Sequence, residues 1–228
     1  AAIGGDGTAA ARADAVYRAG ELLRRAERAE DAIRCFEAAL RVAEAHLPAL
    51  DALEAIWRER GDLERVAAIL GRKVAATARQ PARQKPLLSR LGDLQDELGR
   101  GEVALATHQR ALEIDPIWRP SLRYVTLRLR DSGQVVAAAG GLAELAGELH
   151  GDQGVDLAIV ARERKIAAEA LADLVVRLDD AQVDAVRAVA VPALERAALD
   201  AADVAAGLAR LRGEPVATPP SPTSEDRT

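Results

Sequence analysis

The chain has 228 residues, enough for one large domain or a short repeat array, and its 49% hydrophobic and 29% charged content excludes a disordered polypeptide. The net charge is −5 with acids and bases interleaved, which argues against the basic face of a nucleic-acid binder. Cys35 is the lone cysteine, so an intrachain disulfide and a cysteine-based metal framework are excluded, and no run of about 18 apolar residues is present to span a membrane.

Ala, Leu, Arg and Glu, all good helix formers, dominate the chain, while aromatic residues make up 2%. The composition predicts an all-α protein. Residues 1–12 read as a flexible leader, because Gly4-Gly5-Asp6-Gly7-Thr8 lacks the Lys-Ser/Thr ending of a phosphate loop. Ala1–Ala13 has no basic n-region and no long apolar stretch, so no signal peptide is expected. The lone thiol fits a reducing compartment and predicts a cytoplasmic protein. The chain contains no methionine, which fits a piece of a longer protein or a trimmed product.

Helical patterns then recur. Residues 13–46 carry Val16, Gly20, Leu23, Ala32, Phe36 and Ala39-Leu40; residues 47–84 carry Leu50, Leu53, Trp57, Gly61-Asp62, Val66, Leu70 and Val74. The clearest segment is 85–118. It sets Leu88, Leu91-Gly92, Leu94 and Leu98 before a turn at Gly99, and Ala104, Thr107, His108 and Ala111-Leu112 after it, closing at Asp115-Pro116. Gly99 suits the left-handed conformation that ends a helix, and Pro116 stops the next one. Residues 119–150 follow with Leu122, Val125, Leu129, Gly133, Ala138, Leu142 and Leu145. Successive starts at 13, 47, 85 and 119 are 34, 38 and 34 residues apart, with the extra residues assigned to a loop near 79–83.

On these residues the chain resembles the tetratricopeptide repeat (TPR) family, above all in Leu91-Gly92, Gly99, Ala104 and Ala111-Leu112-Glu113-Ile114-Asp115-Pro116. The resemblance implies an α-solenoid of about four helical hairpins, 13–46, 47–84, 85–118 and 119–150. Gly20 and Gly92 occupy the helix-crossing position. Glu54 and Thr126 replace Gly there, so the second and fourth crossings are expected to be looser or shifted; Lys73 also replaces a small Ala, and Gly140-Gly141 falls within a helix. Beyond 150 the template stops fitting. Residues 151–212 are expected to form capping helices: one over 155–178, a second begun by Asp179-Asp180 and running to about Ala190, and a third from Pro192 with a 194–211 apolar stripe. The stripe is a candidate for self-association. The Pro-rich segment 213–228 is expected to be disordered.

No catalytic arrangement emerges. His46, His108 and His150 are far apart and form no His-Glu-x-x-His pair; His46 and His150 fit helix ends or loops, and His108 replaces the bulky residue of a second repeat helix. Cys35 beside Phe36 reads as a buried, inert thiol. The chain is therefore read as a non-enzyme with no metal and no cofactor; a helical enzyme would need a polar pocket around His108. The resemblance further implies a groove lined by first helices: Tyr17, Glu21, Arg24 and Arg25; Asp51, Ala55, Arg58 and Glu59; Ser89, Asp93, Asp96 and Glu97; Arg123, Leu127, Arg130 and Asp131. A family subgroup holds peptide carboxylates with Lys, Asn and Arg, but this chain contains no Asn. The expected partner is a mixed-charge peptide or helix held by Arg24, Arg58, Arg123 and Arg130, with no nucleic acid and no membrane. The chain is thus expected to be an interaction scaffold, or the regulatory or docking arm of a larger signalling protein.

Overall fold

The computed structural model describes residues 4–147, 157–197 and 202–214. Eleven α-helices and no strand occur among them, so the all-α expectation holds. His150 and all but the first two residues of the Pro-rich segment fall outside the described residues. Two compact units divide at Pro116 and Ile117.

The first unit holds α1 (Gly4–Arg25), α2 (Ala29–Val42), α3 (Leu47–Glu59), α4 (Leu63–Ala76), α5 (Pro81–Glu97) and α6 (Gly101–Ile114). Each helix packs on the next in sequence. Phe36, Leu50, Leu53, Leu70 and Leu88 fill the space between them. Helix α1 starts at Gly4, within the expected leader, since the Ala-rich run at residues 9–11 favours helix. Helix α5 starts at Pro81, inside the expected loop at 79–83. Proline at the first helical turn has no N–H to lose there and a φ already suited to helix.

The turns inside these pairs repeat one design. Gly61 and Gly99 have φ of 68° and 75°, Glu27 has 58°, and Gly133 in the second unit has 79°. After each, a backbone N–H reaches back five residues: Arg28 to Leu23 O at 2.9 Å, Asp62 to Trp57 O at 3.0 Å, Arg100 to Gln95 O at 2.8 Å and Gln134 to Leu129 O at 2.9 Å. This is the Schellman closure, which satisfies carbonyls left open at a helix end. The turn residues 27, 61, 99 and 133 are spaced 34, 38 and 34 apart, the same interval the apolar pattern carries. Asp62 then caps α4, its Oδ1 accepting from Arg65 N at 3.0 Å.

Side-chain size at each crossing is matched in pairs. A Cβ on Gly20 would stand 2.6 Å from the Phe36 ring, and one on Gly92 would stand 2.5 Å from the His108 ring. His108 is fully buried, as packing inside the pair requires. The second and fourth pairs pack less extensively than the first and third, in line with the expectation of looser or shifted crossings, and each is completed in its own way. At the second, Glu54 is buried and its Oε2 accepts from Lys73 Nζ at 2.7 Å. At the fourth, a Cβ on Gly141 would sit 2.0 Å from Thr126 Oγ1, so the small residue has moved to the second helix.

The second unit holds α7 (Arg119–Asp131), α8 (Val135–Ala146), α9 (Leu157–Val176), α10 (Asp180–Ala197) and α11 (Ala202–Arg212). Helices α9 and α10 both pack on α8, and α11 packs on α9 and α10. Leu171, Val175, Val186, Leu194, Val204 and Leu211 form the core. Asp179 caps α10 reciprocally with Gln182: its Oδ1 accepts from Gln182 N at 2.8 Å, and its own N–H donates to Gln182 Oε1 at 3.2 Å. Pro192 lies inside α10, so no new helix begins there. The 194–211 stripe is divided between α10 and α11, and its Leu194, Val204 and Leu211 are buried in the unit's own core.

Candidate functional site

Helix α1 presents Tyr17, Glu21 and Arg24 at i, i+4 and i+7, and α3 presents Asp51, Ala55 and Glu59 at i, i+4 and i+8. Such spacing aligns each set on one face. The two faces meet in an open cleft of about 610 Å³, closed in by Ala29, Pro48, Ile56 and Arg60. Six expected groove positions are therefore brought together in one concavity.

Tyr17 is fixed from behind. Its ring lies 5.6 Å from Phe36 and 5.4 Å from His46, centroid to centroid. His46 caps α3 by accepting from Ala49 N through Nδ1 at 3.1 Å, which leaves Nε2 to donate to Asp14 Oδ1 at 2.9 Å. Its expected place at a helix end holds. Partial burial raises the Tyr17 hydroxyl pKa above its ordinary value, and the Glu21 and Asp51 carboxylates push in the same direction, so the hydroxyl remains a donor at neutral pH.

The cleft bases are already engaged. Arg24 grips Glu21 through Nε at 3.2 Å and through a second nitrogen at 3.0 Å, a fork that raises its pKa further. Arg60 reaches Glu30 at 2.8 Å and lies 5.0 Å above the Trp57 ring. Asp51 pairs with Lys73 Nζ at 2.6 Å. Glu59 is exposed, with no ion-pair partner among the described residues, and its field also reaches Arg24.

The same holds for every arginine expected to grip a partner. Arg58 is bonded to Glu54, Arg123 to Glu163 at 3.2 Å and Arg130 to Asp131 at 3.1 Å. Arg58 does not line the cleft; it joins Lys73 and Arg90 around Glu54, a cluster linking α3, α4 and α5. Asp51, Lys73 and Arg90 also border a second opening of about 500 Å³ beside α5. On α5, Ser89 is buried and donates to Lys85 O at 3.3 Å, so it faces the helix and not a groove. Asp93, Asp96 and Glu97 are exposed, and Asp93 Oδ1 stands 3.4 Å from His108 Nε2. In the second unit, Arg123, Leu127 and Arg130 line a separate slot of about 290 Å³ against α9.

Sequence reasoning missed Lys73, Arg90, Arg60 and Glu163 as parts of these surfaces. Opposite charges at two anomalous crossing positions, Glu54 and Lys73, were the available signal for the first. Cys35 is half-buried, less enclosed than expected. Among the described residues no group of three or more His, Cys, Asp or Glu side chains could hold a metal, and no helix is long and apolar enough to cross a membrane. No protein-family model matches the chain, and no curated protein matches it.

Proposed function

We propose that this chain is a cytoplasmic protein-interaction scaffold of the tetratricopeptide type, a non-catalytic module that receives a peptide or helix on the exposed faces of its first helices. One observation carries the reading: Tyr17, Glu21 and Arg24 on α1 and Asp51, Ala55 and Glu59 on α3 line a single open cleft. Stacked helical pairs repeat one side-chain direction, which suits a strip for an extended or helical ligand. The recurrent Schellman turn and the paired sizes at Gly20–Phe36 and Gly92–His108 support units of one kind.

The charge state of the cleft sets the ligand chemistry there. Arg24 and Arg60 are held by the chain's own Glu21 and Glu30, so the carboxylates a newcomer meets are the exposed Glu59 and Asp51, the latter paired with Lys73 yet 61% exposed. A segment carrying Lys or Arg together with an apolar residue for the Tyr17–Ile56 wall fits best. Affinity capture with the full chain, followed by mass spectrometry, tests this. A partner recovered by the unmodified chain should be depleted by the double variant Asp51→Lys, Glu59→Lys; equal recovery would reject the cleft as the binding surface.

A further inference from the structure

The slot in the second unit is unlike the α1–α3 cleft. Its floor is Leu142, Leu145, Ala167 and Thr126, all buried, and its lips are Leu127 and Ile166, which are 39% and 53% exposed. Single exposed aliphatic residues are common on protein surfaces. Two that converge over a buried apolar floor are a docking feature. Along α7 the exposed residues run Arg123, Leu127, Arg130, at i, i+4 and i+7, so two guanidinium groups flank one aliphatic side chain. Their helical positions are about 10 Å apart along the axis.

The rim is net basic once its internal pairs are assigned. Glu163 accepts from Arg119 Nε at 3.4 Å, and Arg119 is itself buried and donates to Leu145 O at 2.6 Å. Arg119 therefore neutralises Glu163 from inside the unit, and the 3.2 Å contact from Arg123 is surplus to that need. Among the described residues Arg130 pairs with its chain neighbour Asp131, a surface pair whose two members are half-exposed and easily exchanged for another carboxylate.

We infer that this slot is a second docking site, for an acidic amphipathic helical segment of a partner protein with one Leu or Ile seated between Leu127 and Ile166 and a carboxylate on either side meeting Arg123 and Arg130. This deepens the scaffold reading and rests on it. It also gives the two units opposite preferences, a basic segment for the α1–α3 cleft and an acidic one for the α7–α9 slot.

The test uses the full chain and three fluorescein-labelled helical peptides: one with Glu residues a heptad apart and Leu midway, one with Lys in place of Glu, and one with Ser in place of Leu. The Glu–Leu–Glu peptide should bind, should weaken as salt rises, and should lose at least about tenfold in affinity to the Arg123→Glu, Arg130→Glu variant. That variant should in turn gain affinity for the Lys peptide. The Ser peptide should bind more weakly than the Leu peptide, and Leu127→Ala should reproduce that loss with unchanged circular dichroism. Equal binding of Glu and Lys peptides, no binding of any of them, or binding only to anionic lipid vesicles would overturn the inference. If the slot fails while Asp51→Lys, Glu59→Lys still depletes the captured partner, the slot alone is wrong; if both fail, the scaffold reading falls with it.

Discussion

Lys73 Nζ lies 2.7 Å from Glu54 Oε2, and both side chains are buried at the crossing of α3 and α4. Glu54 stands where the neighbouring pairs have Gly20 and Gly92, and Lys73 stands where a small residue is expected. Two misfits have become one ion pair. Arg58 and Arg90 complete the shell around the carboxylate, and Arg90 ties α5 to α3. Breaking a buried pair from one side leaves the other charge desolvated and unmatched. Lys73→Met and Glu54→Leu should each lower the unfolding free energy by about 2–3 kcal/mol, while the double variant should cost less than the sum of the two. Urea denaturation of the four proteins measures this.

The same carboxyl sets an acid limb. Burial alone would raise the Glu54 pKa, but the hydrogen bond and charge of Lys73, followed by Arg90, outweigh it and hold the carboxyl below its ordinary value of 4.5. A depressed folded pKa means that the stabilisation is fully present above about pH 4.5 and is lost as pH falls through the lower folded value. The unmodified chain should therefore lose stability on acidification below about pH 5 more steeply than Glu54→Gln. Parallel slopes for the two proteins in urea melts at stepped pH would reject this assignment.

The adjacent glycines of α8 are not equivalent. A Cβ at Gly141 would collide with Thr126 Oγ1, whereas one at Gly140 would meet nothing within 4 Å. Gly141→Ala should destabilise by about 1–3 kcal/mol through overpacking. Gly140→Ala should instead stabilise by up to about 1 kcal/mol, because alanine restricts the unfolded chain and favours helix. Thermal melts of the two single variants should shift in opposite directions.

The turns make a matching pair of tests. Glu27 occupies the left-handed position that Gly61, Gly99 and Gly133 occupy elsewhere. Glu27→Gly should relieve about 1 kcal/mol of strain, and Gly99→Ala should introduce a similar amount, since a Cβ is disfavoured at positive φ. Opposite shifts in denaturation midpoint at constant slope are expected.

Much of this architecture was legible because it is local. Turn chemistry at Gly61, Gly99 and Gly133 and the apolar spacing around them depend on neighbours in sequence, so the interval of 34, 38 and 34 emerged directly. What escaped depends on which side chain faces which across a helix pair. Glu54 and Thr126 look like defects when read singly and become complements only when Lys73 and Gly141 are placed opposite them. In the capping region the long helix and the Asp179 cap were legible, but the helix start at Pro192 was not: Pro192 is compatible both with a first turn and with an interior position whose lost hydrogen bond is tolerated in a packed helix, and α10 takes the second. For the candidate surface, the faces of α1 and α3 followed from helical register. The commitment of Arg24, Arg58, Arg123 and Arg130 to the chain's own carboxylates did not, because long side chains choose partners in three dimensions.

Hydrogen–deuterium exchange of the full chain, alone and saturated with its captured partner, bears most directly on the scaffold reading. Binding in the α1–α3 cleft predicts slowed exchange in the segments around Tyr17–Arg24 and Asp51–Arg60, with the outward faces of α2 and α4 unchanged. Protection confined to α2 and α4, with none along α1 and α3, would contradict it.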